Sequence, residues 1–226
     1  MEQAIIKKNN VSSANQMKNS SVFFGYGNGG KKILILGNSI TRHAPNESLG
    51  WFGDWGMAAS AREKDYVHLL KDKLDRTEKP YELYVRQMAD WEQSLNGGKT
   101  DLSLYRECRD VRADIVVYRL TENIKSEFVS SERYCSAVEE MLRYVCPENA
   151  TVIFTSSFWK YDAFDGLTEQ LAKNRNMPFV YLGDLGERDD MRATGLFSHV
   201  GVACHPGDAG MAAIAERIWQ ALFPLL

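Results

Sequence analysis

Short apolar runs alternate with amphipathic stretches along most of this chain, beginning at Lys31. Five runs rich in β-branched and aromatic residues predict strands at Lys32–Leu36, Tyr81–Val85, Asp114–Tyr118, Thr151–Thr155 and Phe179–Leu182. Apolar residues with helical spacing predict helices at about Ala61–Asp75, Leu102–Cys108, Ser131–Val145, Phe164–Asn174 and Asp208–Leu222. Strand and helix units joined by short connections are typical of a mainly parallel sheet with helices on both faces. We therefore expect an α/β fold with a five-stranded sheet.

The first 30 residues have a different character. They are polar, rich in asparagine and serine, and end in the glycine-rich stretch Gly25–Gly30. This composition predicts an N-terminal extension over residues 1–30, with one short strand at Ser21–Phe24 and a flexible link. The remaining residues, 31–226, are long enough for one domain with a substantial core.

Composition narrows the class of protein. The 226 residues are 44% hydrophobic and 25% charged, which is typical of a soluble globular protein. A net charge of −3 gives no reason to expect nucleic acid as a partner, and no apolar stretch is long enough to span a membrane. The stretch Met1–Asn19 lacks the pattern of a secretory signal, and the four cysteines lack zinc-site spacing. We predict a cytoplasmic protein without a membrane partner; its oligomeric state stays open.

A serine directly after the first predicted strand is the leading candidate for chemistry. The strand ends in Gly37-Asn38-Ser39, which places Ser39 at the carboxyl edge of the sheet, where open α/β sheets hold their sites. A hydroxyl beside the backbone N–H groups of a turn is suited to act as a nucleophile next to an oxyanion hole. The alternative is a turn serine that caps a helix.

Two further residues have positions that match the needs of a serine nucleophile. His205 precedes Pro206 and the last predicted helix, so we expect its imidazole to face the same edge of the sheet. Asn123 follows the third predicted strand, where its side-chain N–H could donate to an oxyanion. His43 and His68 are expected outside hydrogen-bond reach of Ser39. The alternatives are a histidine that packs in a turn and an asparagine that stabilises one.

The order of these segments resembles the SGNH/GDSL hydrolases, a family of esterases, lipases and carbohydrate O-deacetylases. The resemblance rests on Gly37-Asn38-Ser39-Ile40-Thr41, on Asn123 and on His205-Pro206, and it extends over about residues 31–222. It implies a flavodoxin-like α/β/α sandwich with strand order 2-1-3-4-5. It also implies Ser39 as nucleophile, His205 as base, and an oxyanion hole from Asn123 and the backbone N–H of Ala89. No metal or organic cofactor is implied.

Three positions depart from the family pattern. Ala89 and Thr121 stand where the family has glycines, and Val202 stands where it has the aspartate that orients the histidine. We expect a main-chain carbonyl of the 183–204 segment to accept the hydrogen bond from His205 Nδ1 instead. The alternative is a displaced carboxylate, for which the candidates are Asp184, Glu187, Asp189 and Asp190.

A long loop follows the serine turn and contains Trp51, Asp54 and Trp55 between glycines. These side chains could bind a sugar ring or an acyl group beside Ser39, or the tryptophans could anchor the loop to the domain.

The residues and the resemblance together predict a hydrolase of small esters, with O-acetyl groups on a carbohydrate as the expected substrate class. One alternative is a catalytically silent relative that binds a glycan, which the missing aspartate favours. Another alternative is a flavin or nucleotide binder, because such proteins can have the same sheet order. The serine turn speaks against it, since this turn lacks the repeated glycines of a phosphate-binding loop.

Overall fold

A computed structural model describes residues 23–226 of the chain. Its centre is a sheet of six strands, five parallel and one antiparallel at the edge. The strands are β1 (Phe23–Gly27), β2 (Lys31–Gly37), β3 (Tyr81–Gln87), β4 (Ile115–Arg119), β5 (Thr151–Thr155) and β6 (Phe179–Val180). Their spatial order is β1-β3-β2-β4-β5-β6. The five parallel strands therefore have the predicted order 2-1-3-4-5, which confirms the flavodoxin-like arrangement.

The strand count differs from the prediction because β1 joins the sheet. It pairs antiparallel with β3, from Phe23 opposite Arg86 to Gly27 opposite Glu82. The Phe23 ring stacks on Tyr84 with centroids 5.6 Å apart. The predicted boundary after residue 30 thus does not coincide with the edge of the sheet. The rest of the predicted extension, residues 1–22, lies outside the described residues.

Helices cover both faces of the sheet. They are α1 (Tyr66–Asp75), α2 (Ala89–Leu95), α3 (Arg106–Val111), α4 (Ser131–Val145), α5 (Asp165–Asn174), α6 (Val200–Ala203) and α7 (Asp208–Leu222). The sequence predicted α4 and α7 with these bounds. The predicted helix Leu102–Cys108 is a 3₁₀ turn, Leu102–Tyr105, followed by α3, and neither α2 nor α6 was predicted.

The alternation of side chains along β2 builds two separate cores. Leu34 and Leu36 pack with apolar residues of α2, α3, α4 and α5 on one face. Ile33 and Ile35 pack with residues of α1 and α7 on the other. Successive residues of a strand point to opposite faces, and all four of these side chains are fully buried. A strand apolar on both faces belongs in the middle of a covered parallel sheet, and β2 lies there.

Parallel strands bring their following loops to one edge of the sheet. The loops after β2, β3 and β4 begin at Asn38, Met88 and Leu120, and these strands are neighbours in the order β3-β2-β4. The segments that carry Ser39, Ala89 and Asn123 are therefore adjacent at the carboxyl edge. In the described part of the chain, no helix combines the length and apolar character needed to cross a bilayer.

Candidate active site

The turn after β2 presents Ser39 half-buried at the edge of the sheet. The N–H groups of Thr41 and Arg42 both donate to the carbonyl of Asn38, each at 3.0 Å, so the chain reverses sharply around the serine. The turn needs a glycine at residue 37, because a Cβ there would lie 1.8 Å from Thr41 Oγ1. The serine is thus held by a tight backbone turn.

Asn38, the residue before the serine, is fully buried and anchors this turn from below. Its side-chain oxygen accepts from Arg119 at 3.1 Å. Its Nδ2 donates to Glu122 at 2.6 Å and to Glu92 at 3.2 Å. The position of Ser39 therefore depends on a buried polar network that reaches β4 and α2.

His205 contacts the serine from the segment between α6 and α7. Its Nε2 lies 2.8 Å from Ser39 Oγ, and its Nδ1 lies 2.6 Å from the carbonyl oxygen of Gly201. A carbonyl can only accept, so the proton of the neutral ring lies on Nδ1 and the lone pair of Nε2 faces the serine hydroxyl. This is the tautomer that a general base needs. The main-chain acceptor expected from the sequence is present, and it is Gly201.

The surroundings of His205 keep its ring neutral. Burial is the main cause that lowers the pKa of His205 to about 4, and the nearby charge of Arg119 acts in the same direction. The hydrogen bond to Gly201 opposes both effects. The indole of Trp159 packs edge-on against the imidazole, with ring centroids 5.3 Å apart. The lone pair of Nε2 is therefore available throughout the neutral pH range.

The acceptor at His205 Nδ1 is the carbonyl of Gly201 and none of the four candidate carboxylates, Glu187 included. The three aspartates among them have arginine partners. Asp184 forms an ion pair with Arg217, Asp189 with Arg192 and Asp190 with Arg188. Val202, where an aspartate was expected, is fully buried in an apolar cluster with Trp51, Met57, Ala58 and Ala193.

Asn123 lies in the loop after β4 and is half-buried. Its Nδ2 donates to Glu92 at 2.6 Å, and the same side chain lines the cavity that contains Ser39. One of its two N–H bonds is thus used to orient the amide.

The backbone N–H of Ala89 is the other expected oxyanion donor. Ala89 is the first residue of α2 and lines the cavity, but its N–H donates to the side-chain oxygen of Gln87 at 3.1 Å. An oxyanion would have to displace Gln87 to use this donor.

These residues surround one cavity of about 590 Å³. Its lining includes the expected Ser39, Ala89, Asn123 and His205. It also includes residues that were not predicted as site residues, namely His43, Leu49, Met57, Gln87, Asp90, Gln93, His199, Gly201 and Val202. Their positions come from tertiary packing of separate loops, and no motif in the sequence marks them. Among residues 23–226, no cluster of histidine, cysteine and carboxylate side chains has the arrangement of a metal site.

Neither protein-family models nor curated proteins match the sequence. Among solved structures, the esterase EstA from Pseudoalteromonas matches with a TM-score of 0.56 and 15% identity over 87% of this chain and 98% of that one. A GDSL-like lipase from Parabacteroides merdae matches with a TM-score of 0.54 and 15% identity over 84% and 94%. The chain has the SGNH/GDSL hydrolase fold. A mutant of Axe2, an acetyl-xylooligosaccharide esterase from Geobacillus, also matches, with a TM-score of 0.51 and 15% identity over 85% and 94%.

Within this SGNH/GDSL fold, Trp51, Asp54 and Trp55 do not line the cavity, although Leu49 and Met57 of the same loop do. Trp51 is 3% exposed, and its Nε1 donates to the carbonyl of His43 at 3.1 Å. Trp51 and Trp55 pack edge-to-face with centroids 5.6 Å apart, and Asp54 forms an ion pair with Arg42. Trp51 is buried, and the half-buried Trp55 donates from its Nε1 to the carbonyl of Ala59 at 2.9 Å, which favours the alternative that the tryptophans anchor the loop to the domain. The substrate-binding role of Trp51, Asp54 and Trp55 stays a prediction.

His43 and His68 have hydrogen-bond partners other than Ser39. His43 Nδ1 lies 2.6 Å from the carbonyl of Ala44, although its ring lines the cavity. His68 lies on α1 between Asp65 and the hydroxyl of Tyr26, at 2.8 and 2.7 Å. Of the histidines in this fold, His205 is the one hydrogen-bonded to Ser39.

Proposed function

We propose that the protein hydrolyses small carboxylic esters through an acyl-serine intermediate. The observation that carries this proposal is the hydrogen bond of 2.8 Å between Ser39 Oγ and His205 Nε2, in a ring whose Nδ1 proton is held by Gly201. Esterases with the same fold support it.

The reaction follows from these contacts. Ser39 Oγ attacks the carbonyl carbon of the ester as its proton passes to His205 Nε2, and the carbonyl oxygen becomes an oxyanion. The imidazolium then protonates the leaving alkoxide as the carbon–oxygen bond breaks. Water attacks the acyl-serine, gives its proton to Nε2, and that proton returns to Ser39 as the acid leaves.

The oxyanion would be stabilised by three donors, namely the N–H of Ser39, the side-chain amide of Asn123 and the N–H of Ala89 after Gln87 has moved. In a serine protease, losing the carboxylate function behind the histidine lowers turnover about 10⁴-fold. The neutral carbonyl of Gly201 and the low basicity of His205 therefore predict modest activity.

Within this class, O-acetyl groups on a carbohydrate are the substrate that we propose. One neighbour of the same fold is named an acetyl-xylooligosaccharide esterase. The cavity carries amide, carboxylate and imidazole groups, which can bind sugar hydroxyls, beside a small apolar part formed by Leu49, Met57 and Val202.

A silent glycan-binding protein is the second candidate. Two observations favour it, the carbonyl in place of a carboxylate behind His205 and the occupied N–H of Ala89.

The decisive experiment compares p-nitrophenyl acetate turnover by wild type, Ser39→Ala and the control Ser48→Ala. Ser48 is exposed on the neighbouring loop and does not line the cavity. We expect Ser39→Ala to lose the covalent route and keep only the residual rate that transition-state binding supplies, and Ser48→Ala to stay within about twofold of wild type, because the proposed acyl-enzyme forms on Ser39. A fluorophosphonate should label Ser39. Wild-type turnover by Ser39→Ala would refute the proposal.

The substrate class has its own test. Release of acetate from acetylated xylooligosaccharides should exceed hydrolysis of p-nitrophenyl octanoate in kcat/KM. Binding of the oligosaccharide without release of acetate by wild type would favour the silent protein instead.

A further inference from the structure

A buried carboxylate lies directly behind the oxyanion side of the cavity. Glu92 is on α2 and is fully buried. It accepts hydrogen bonds from three donors, Asn123 Nδ2 at 2.6 Å, the backbone N–H of Thr121 at 2.5 Å and Asn38 Nδ2 at 3.2 Å. A glutamate is rarely buried unless its oxygens are paired, and here both are.

The Thr121 contact shows why the loop after β4 needs such a partner. Thr121 has a φ of 124°, a region that β-branched residues rarely adopt. Its N–H is held by Glu92 and its hydroxyl by Ser157 at 2.7 Å. A strained residue persists only where its surroundings determine its conformation. Glu92 therefore holds both the backbone turn and the amide that follows it two residues later.

We propose that Glu92 is a positioning residue, which orients the side-chain amide of Asn123 towards the oxyanion formed on the ester attacked by Ser39. This inference rests on the proposed esterase function. Glu92 acts through Asn123 and does not itself line the cavity.

Three charged or titratable groups face this carboxylate. Glu122 shares Asn38 with it and forms an ion pair with the buried Arg119. The hydroxyl of Tyr118 adds a further titratable neighbour. Burial, and then the negative charge of Glu122, raise the pKa of Glu92 to about 7, while its three hydrogen bonds oppose the rise.

The pKa values of Glu92 and His205 differ enough that a pH profile of kcat/KM can distinguish the two titrations. The pKa of His205 is lowered to about 4, so the ring stays neutral and usable as a base down to that pH. Protonation removes the negative charge of Glu92 and turns one of its oxygens into an O–H group, so the hydrogen bonds that it accepts from Asn123, Thr121 and Asn38 become weaker. We therefore expect kcat/KM to fall as the pH decreases through about 7, and to fall again near 4 as His205 becomes charged.

Kinetics of Glu92→Gln, Asn123→Ala and the double variant test this role. We expect Glu92→Gln to lower kcat about 10–100-fold with little change in KM, which is less than the loss of a donor itself. It should also remove the decrease in kcat/KM near pH 7, called here the limb near pH 7. In the Asn123→Ala background the same change should cost less than about threefold, because the proposed effect of Glu92 is transmitted by Asn123. A larger cost there would overturn the inference and would mean that Glu92 acts through Asn38 and the Ser39 turn.

Asp165→Asn is the matched control. Asp165 is also a buried carboxylate that accepts backbone N–H bonds, from Ser157 and Tyr161, but it does not contact Asn123. It should lower the melting temperature and leave the limb near pH 7 in place. A Glu92→Gln variant that keeps that limb and the wild-type kcat, while Ser39→Ala is inactive, would overturn the inference.

The side-chain amide resonances of Asn123, assigned by their absence from Asn123→Ala, provide a readout that does not need turnover. In wild type they should shift with pH with a midpoint near that of Glu92. If they do not titrate, Glu92 does not hold Asn123 and the inference fails. If they titrate but Ser39→Ala retains wild-type turnover, the esterase proposal fails, and with it the catalytic meaning of the contact.

Discussion

The two sides of the cavity are held in place by different means. On the nucleophile side, Ser39 lies on a tight backbone turn and His205 is oriented by the carbonyl of Gly201. On the oxyanion side, Asn123 is held by the side chain of Glu92. On the first side a main-chain carbonyl orients the base, and buried carboxylates reach the serine turn only through Asn38, whereas on the second side Glu92 holds Asn123 directly.

This difference predicts how each side responds to change. Main-chain carbonyls do not titrate, so the tautomer of His205 is insensitive to pH while the ring is neutral. A buried carboxylate does titrate, and its raised pKa makes the oxyanion side the one that responds near neutrality. The oxyanion side also contains the strained Thr121 and the N–H of Ala89 occupied by Gln87. We therefore expect the nucleophile side to be assembled without substrate and the oxyanion side to complete itself on binding.

Among the variants that test the difference between the two sides, we expect the largest loss of activity for Asn123→Ala. Removing one donor from an oxyanion hole lowers kcat by about 10²–10³, and KM should change little because the ground-state carbonyl carries little charge. Steady-state kinetics with p-nitrophenyl acetate measure both constants. Gln93→Ala, which lines the same cavity, is the control. A raised KM with unchanged kcat would make Asn123 a substrate-binding residue.

The second prediction concerns Val202→Asp, which the family pattern suggests as an improvement. The structure indicates the opposite, because Val202 is fully buried among apolar side chains and Nδ1 of His205 already has an acceptor. A carboxylate there should lower the stability by about 3 kcal/mol, or roughly 6–12 °C in Tm. The control is Val202→Ala, which removes volume without adding charge. An unchanged Tm with a tenfold gain in kcat/KM would show that the nucleophile side can use a carboxylate.

The sequence predicts most of the fold because the strands and long helices bury regular apolar patterns. Strand β5 and helices α4 and α7 have the predicted bounds. Helix α2 was missed because only Trp91 and Leu95 mark its inner face, and the third buried side chain, Glu92, is polar. Nothing in a sequence distinguishes a buried glutamate from one on the surface.

The candidate site likewise contains residues that the sequence predicts and residues that it does not. Ser39, Asn123 and His205 follow or precede predicted elements, so their meeting at one edge could be inferred from topology. Gln87, Gly201 and Glu92 act through contacts that depend on the packing of loops, which periodicity does not reveal. Trp51 and Trp55 are conspicuous in the sequence, yet their indole N–H groups donate to main-chain carbonyls of their own loop, which is the contact expected of anchoring residues.

The smallest expected effect is a gain, from Gln87→Ala. Gln87 accepts the hydrogen bond from the Ala89 N–H, and substrate must break that bond before the N–H can reach the oxyanion. Such a bond contributes about 0.5–1.5 kcal/mol, so its removal should raise kcat/KM about twofold to tenfold. The measurement is kcat/KM on p-nitrophenyl acetate, again with Gln93→Ala as the control from the same cavity wall. A lower kcat/KM with a raised KM would mean that Gln87 binds the substrate, and that the oxyanion side, like the nucleophile side, is already complete before binding.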